Sequence, residues 1–126
     1  MKDCILDTSV LVDYLRGRKP AIDLIKDLRD KGALLVSCEV TVAEVYSGMR
    51  EHEKLATDEL LDSLDYRITT QKIAKRAGSI RSHYAKKGGT LSLADVLIAA
   101  LALEEDLAIA TWNKSHYPLP ELTIID

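Results

Sequence analysis

A single α/β domain over residues 1–126, with a central twisted parallel sheet of about five strands flanked by helices on both faces, is the fold this sequence predicts. Three observations predict it. Short apolar runs recur as unbroken blocks rather than alternating with polar residues, which is the pattern of strands buried on both faces. Stretches with apolar residues at helical spacing separate those runs, and strands alternating with helices imply a parallel sheet. No linker, repeat or low-complexity segment divides the chain, whose 126 residues suit one domain burying roughly two-thirds of its unfolded surface.

The first strand is predicted at residues 3–6, ending on Cys4-Ile5-Leu6, with a helix starting near Val10. Pro20 suits a first helical position, Ile22, Ile25 and Leu28 recur at helical spacing, and Gly32 stops that element. Leu34-Leu35-Val36-Ser37 reads as the second strand. A helix from residue 41 to about 51 and another over 55–64 follow, then a third strand over 66–69. Residues 71–87 form a long amphipathic helix with Ile73, Ala77, Ile80 and Tyr84 on one face. Its other face carries Lys72, Lys75, Arg76, His83 and Lys86. Gly88-Gly89 ends it, and Ser92 opens a last helix running to about 105. Strands over 107–110 and 122–125 complete the sheet.

Composition narrows the class. The chain is 47% hydrophobic and 29% charged, ordinary for a soluble globular protein, and lacks phenylalanine, so its core is aliphatic with a few tyrosines. Three apolar residues before Asp7 are too few for a signal-peptide core. The longest apolar run has eight residues, Val96 to Leu103, against the ~20 a membrane span needs. A cytoplasmic protein with no membrane role is expected. Cys4 and Cys38 match no zinc spacing and read as buried free thiols. The formal charge of −3 argues against passive coating of nucleic acid, but its distribution is uneven. Residues 66–94 hold seven basic groups and no acid, so the remainder carries −10, the difference between −3 and +7. That asymmetry points to an anionic partner.

Three acids stand out: Asp7 closes the first strand, Glu44 lies within Thr41-Val42-Ala43-Glu44-Val45, and Asp95 interrupts Leu93-Ala94-Asp95-Val96-Leu97-Ile98. Charges inside apolar runs are normally paired, hydrogen-bonded or bound to metal. Each also has a plain explanation as a helix cap. Asp7-Thr8-Ser9 is rich in capping side chains, and Thr41-x-x-Glu44 and Ser92-x-x-Asp95 have capping-box spacing. If the fold gathers the three, they repel by roughly 4 kcal/mol per pair at ~4 Å in an effective dielectric near 20. A hard divalent ion, magnesium or manganese, relieves that repulsion. In open parallel sheets ligands collect beyond the carboxyl ends of the strands, where Asp7 is expected to lie.

The motifs around these acids resemble the PIN-domain ribonucleases of the VapC toxin type. The opening Ile5-Leu6-Asp7-Thr8-Ser9-Val10-Leu11-Val12-Asp13-Tyr14-Leu15-Arg16-Gly17 is similar to the start of that family. Val40-Thr41-Val42-Ala43-Glu44-Val45-Tyr46-Ser47-Gly48 resembles its second motif and Leu93-Ala94-Asp95-Val96-Leu97-Ile98-Ala99-Ala100 its third. Ile109-Ala110-Thr111-Trp112-Asn113, with Lys114, His116 and Tyr117 after it, is similar to its fourth. Order and spacing agree across essentially the whole chain. The resemblance implies Mg2+- or Mn2+-dependent endonucleolytic cleavage of RNA, with Asp7, Glu44 and Asp95 as catalytic acids and metal ligands. It implies supporting roles for Thr8, Ser9 and Thr111. Asn113 stands where the family often has a fourth acid; it is carried over as a catalytic position that adds no charge. A cognate VapB-type antitoxin, a homodimer and a higher assembly with the antitoxin are implied as well.

For the RNA substrate, Lys72, Lys75, Arg76 and Lys86 are candidates to track phosphates, against the alternative of an ordinary solvated face. Trp112 is a candidate to stack on an unpaired base, or else anchors its loop or a subunit contact. The helical patterns at 10–16, 21–31 and 42–51 suit a groove for a partner peptide. A PIN-like RNA-binding module without turnover is the alternative function, motivated by Asn113.

Overall fold

The computed structural model describes all 126 residues. Five strands, β1 (Cys4–Leu6), β2 (Leu35–Cys38), β3 (Asp65–Arg67), β4 (Ala108–Ala110) and β5 (Ile124–Ile125), form one sheet in the order β3-β2-β1-β4-β5. Every neighbouring pair is parallel. The helices are α1 (Thr8–Leu15), α2 (Lys19–Asp30), α3 (Glu39–Gly48), α4 (Lys54–Asp62), α5 (Gln71–Lys86) and α6 (Leu93–Glu105). Short 3-10 turns cover Glu51–Glu53 and Lys114–His116.

The central strands are buried throughout, and their alternating residues feed two separate cores. Ile5, Val36 and Ile109 point to the face covered by α5 and α6, joining Ile73, Ala77, Ile98 and Leu101. Cys4, Leu6, Leu35, Ala108 and Ala110 point to the other face, against Val10, Leu11, Ile25, Leu28 and Leu60. Continuous apolar strands thus follow from a sheet sandwiched between two helical layers. The same alternation separates the thiols: Cys4 belongs to one core and Cys38 to the other. Burial pushes the Cys4 thiol up to about 12 and raises Cys38 as well, so both remain protonated.

The β3 strand stops short of residue 69 because the Thr69 backbone turns away from the ladder; its N–H donates to the Glu39 carboxylate at 3.0 Å. The α3 helix starts at Glu39, two residues before the expected boundary. Buried Thr41 closes that start by accepting the Cys38 N–H at 3.1 Å. Gly32, with φ of 83°, ends α2 in the left-handed conformation that glycine tolerates best. The α5 and α6 helices form an antiparallel pair. Arg76 meets Glu104 at one end, and Arg81 donates to the Leu91 carbonyl at the other. No helix is long and apolar enough to cross a membrane.

Candidate active site

Strand order sets the location. The chain runs outward from β1 through β2 to β3, then crosses back to β4 and β5 on the other side of β1. The direction of winding therefore reverses between β1 and β4, where the loops beyond the strands part and leave a crevice. Asp7 follows β1 and Thr111 follows β4, so both stand at that point.

Asp7 is 6% exposed, and its carboxylate is held by hydroxyl groups. Thr111 Oγ1 donates to Oδ2 at 2.7 Å, Ser9 Oγ to the same oxygen at 3.1 Å, and Tyr117 OH to Oδ1 at 3.1 Å. These neutral donors satisfy a buried charge without cancelling it. Further bonds fix the donors: the Asn113 N–H donates to Thr111 Oγ1 at 2.9 Å and the Trp112 N–H to Ser9 Oγ at 3.3 Å. Burial, then the neighbouring Asp7 and Asp95 carboxylates, drive Tyr117 far above the usual tyrosine range, so its hydroxyl stays a donor.

Asp95 occupies the first turn of α6. Ser92 caps that helix by accepting the Asp95 N–H at 3.1 Å, which leaves the Asp95 carboxylate uncommitted to the cap. His116 Nδ1 lies 3.5 Å from Asp95 Oδ2. Consecutive residues of one turn, His116 and Tyr117, thus reach the acids of two different elements. Glu44 accepts from Thr8 Oγ1 at 2.8 Å, and Thr8 directly follows Asp7.

Helix capping therefore does not account for the acids. Asp7 sits at the N-cap of α1 but makes no side-chain cap bond. Glu44 lies in the middle of α3 rather than at its start, and the cap there belongs to Cys38 and Thr41. Asp7 and Asp95 both stand at helix N-termini, where the partial positive charge favours anions. As the side chains stand, no three of the acidic, histidine or cysteine groups close on one point that holds a metal ion. The Tyr117 hydroxyl bonds Asp7 and feels the charge of Asp95, while Glu44 stands apart, bonded to Thr8. The donor set is entirely oxygen, which fits a hard cation such as magnesium, for which one or two carboxylates with water and phosphate suffice.

The remaining sequence candidates are more dispersed. Asn113 contributes its backbone N–H to Thr111, and its side chain caps nothing in the turn that follows. Lys72 and Arg76 both pair with Glu104, at 3.3 and 2.7 Å, about 13 Å along α6 from Asp95. Lys86 instead ends α5 on the side of the hairpin where Arg81 reaches Leu91 and Tyr84 reaches the Pro118 carbonyl at 3.3 Å. Trp112 packs against the core beside α2, lining a cavity with Pro20, Leu24 and Asp27. It anchors its loop in this arrangement. Two contributors, His116 and Tyr117, received no role from the sequence. The available signal was their position just after Thr111-Trp112-Asn113, but histidine spacing and a lone tyrosine carry little information until the turn is folded.

The family described as PIN domain matches residues 4–121. Ribonuclease VapC10 of Mycobacterium tuberculosis is 38% identical over 117 residues, covering 93% of this chain and 87% of the relative. Ribonuclease VapC19 of the same organism is 30% identical over 119 residues, covering 94% and 95%. Among solved structures, the DNA-bound VapBC of Salmonella typhimurium superposes with a TM-score of 0.86 at 20% identity, covering 100% of this chain and 98% of that one. A toxin-antitoxin complex from Klebsiella pneumoniae gives 0.81 at 24%, covering 98% and 97%. At such identities the superpositions speak for the fold, while the family match and the closer relatives speak for kinship. With the model of that family matching residues 4–121 and a relative 38% identical over nearly the whole chain, the protein belongs to the PIN-domain family, in its VapC branch.

Proposed function

We propose that this protein is a metal-dependent endoribonuclease and the toxin of a toxin–antitoxin pair. One observation carries the reading: a nearly buried carboxylate, Asp7, is held by three hydroxyls at the sheet's switch point and is used for no cap or ion pair. A structural role would be served better by a neutral side chain, because burying an unpaired charge is costly. The relatives named as ribonucleases support the same activity.

Asp7 and Asp95 would hold a Mg2+ or Mn2+ ion, with Glu44 reaching it through water. When bound, such an ion supplies a Lewis acid for the scissile phosphate and makes a bound water easier to deprotonate. The protein's own groups do the rest. Thr111, Ser9 and Tyr117 keep Asp7 from turning, and His116 does the same for Asp95. Glu44, steadied by Thr8, accepts the proton of the attacking water. Water adds to phosphorus as the P–O3′ bond breaks, leaving a 5′-phosphate and a 3′-hydroxyl. The cleft of about 300 Å³ among Val12, Leu15, Val45, Met49 and Thr57 lies between α1, α3 and α4. Arg16, Arg50 and Glu53 line it as well, so it suits an amphipathic segment of a VapB-type antitoxin. A homodimer, and its larger complex with the antitoxin, belong to the same reading.

Purified protein is expected to cut single-stranded RNA in magnesium, to stop in excess chelator and to resume when the ion is restored. Asp7→Asn should lower the rate by at least about 100-fold, more than loss of a ligand's supporting partner commonly costs. Its melting temperature should stay near that of the parent. A fully active Asp7→Asn protein would refute the assignment. RNA retained but never cut, with magnesium present, would favour the non-cleaving RNA-binding module that Asn113 suggests.

A further inference from the structure

Ser37 sits in β2 and is 1% exposed, yet its Oγ has no hydrogen-bond partner. Buried hydroxyls are nearly always paired, and alanine would fill this position without stranding a polar atom. The hydroxyl lies at the floor of a cavity of about 540 Å³ between the sheet and the α3–α4 pair. Tyr66, the cross-strand neighbour of Ser37 on β3, and Tyr46 of α3 supply aromatic walls. Tyr66 is 53% exposed, so its ring can move aside to admit a ligand. Asp58 and Asp62 of α4 supply carboxylates, and no basic side chain lines the cavity. Asp58 is engaged by the Tyr46 hydroxyl and by Lys54 at 2.6 Å, while Asp62 makes no ion pair. Val42, which also lines the cavity, and Tyr46 fall on the flank of α3 opposite Glu44, so the cavity is separate from the crevice.

We propose that this cavity is a docking site for an arginine side chain of a partner polypeptide. A guanidinium matches its contents. The group stacks on tyrosine rings, pairs with the free Asp62 carboxylate and has N–H donors to spare for the Ser37 oxygen. A compact ammonium holds its water more strongly and does not stack as a plane. Free arginine would bring its own carboxylate toward Asp58 and Asp62, with no lining base to receive it. An arginine within a peptide carries no such charge. Moreover, β3 is the last strand of the sheet, so an extended main chain can bond along its open edge. The acidic balance of the chain outside residues 66–94 favours a basic partner. None of these groups belongs to the crevice, so the inference stands apart from the nuclease reading.

The test follows the backbone amide signals of the full-length protein by NMR while short capped peptides are added, identical except for a central arginine, lysine or citrulline. At millimolar concentration the arginine peptide is expected to move the signals of Ser37, Asp62 and Tyr66. Citrulline keeps the shape without the charge and should bind at least about tenfold more weakly, as loss of hydrogen bonds from a charged group predicts. Ser37→Ala should weaken the arginine peptide about fivefold, the effect of one hydrogen bond, with a melting temperature equal to or above the parent's. A serine with a merely structural role would not lose binding while keeping stability. If Ser37→Ala does not fold, Asp62→Asn, at an exposed position, must show the weakening instead. Equal binding of the arginine and citrulline peptides, or no movement of these signals, would overturn the proposal. So would unchanged affinity in the folded variant. A lysine peptide that binds as well as arginine would rule out guanidinium recognition. Agmatine, a guanidinium without a peptide chain, would rule out the polypeptide occupant if it bound as tightly as the arginine peptide.

Discussion

Thr111, Ser9 and Tyr117 show what the site demands of individual residues: hydroxyl groups that satisfy a charge without neutralising it. Elsewhere the chain tolerates a hydroxyl that satisfies nothing. Thr57 is fully buried, and its Oγ1 has no hydrogen-bond partner. Replacing an unpaired buried hydroxyl with a methyl group removes a desolvation cost while preserving shape. Thr57→Val is therefore expected to leave stability unchanged or raise it by up to about 1 kcal/mol, read as the shift of a urea midpoint. A loss above that size would reveal a bond to Thr57 Oγ1. The identities of the acids were legible in the sequence because charges stood out within apolar runs. Their supporting hydroxyls were legible only in part. Thr8, Ser9 and Thr111 are adjacent to motif residues, whereas Tyr117 acquires meaning only when the 114–116 turn swings it beneath Asp7.

At the scale of elements, α6 matters most, because its first turn carries Asp95 and its cap fixes where that turn begins. Ser92 accepts the Asp95 N–H, so the cap and the acid share one bond. Ser92→Ala is expected to cost about 1 kcal/mol of stability. Cleavage should fall more steeply than that loss explains, because a frayed first turn misplaces Asp95. Denaturation curves and kcat measured on one preparation check this; a stability loss with kcat intact would show that Asp95 is held by His116 alone. The α3 helix illustrates where sequence reading stopped. Thr41-x-x-Glu44 has capping-box spacing, yet the helix begins earlier because the Thr41 hydroxyl bonds the Cys38 backbone. Spacing alone does not tell a cap from a mid-helix pair, since both use a threonine near a helix start.

Across the whole molecule, the alternation of strands and helices was enough to read a parallel sheet, but not the order β3-β2-β1-β4-β5 or the two cores. Order decides where the crevice opens, and so which basic residues flank it. Lys72 and Arg76 are balanced by Glu104, whereas Lys86 and Lys87 lie at the end of α5 nearer the α6 N-terminus. Reversing the charge of Lys86 and Lys87 is expected to weaken RNA binding and flatten its salt dependence by about one unit of slope for each phosphate no longer neutralised. Lys72→Glu should leave that slope unchanged. Filter binding across a salt series separates the two outcomes, and equal effects would show that RNA follows the length of α5. The position of Trp112 also gives the molecule a built-in optical reporter. It is the sole indole, its N–H backbone bond reaches the same serine that holds Asp7, and its ring rests on α2. Emission spectra recorded while manganese is added are therefore expected to shift if the ion enters the crevice, with no dye attached and no substrate consumed.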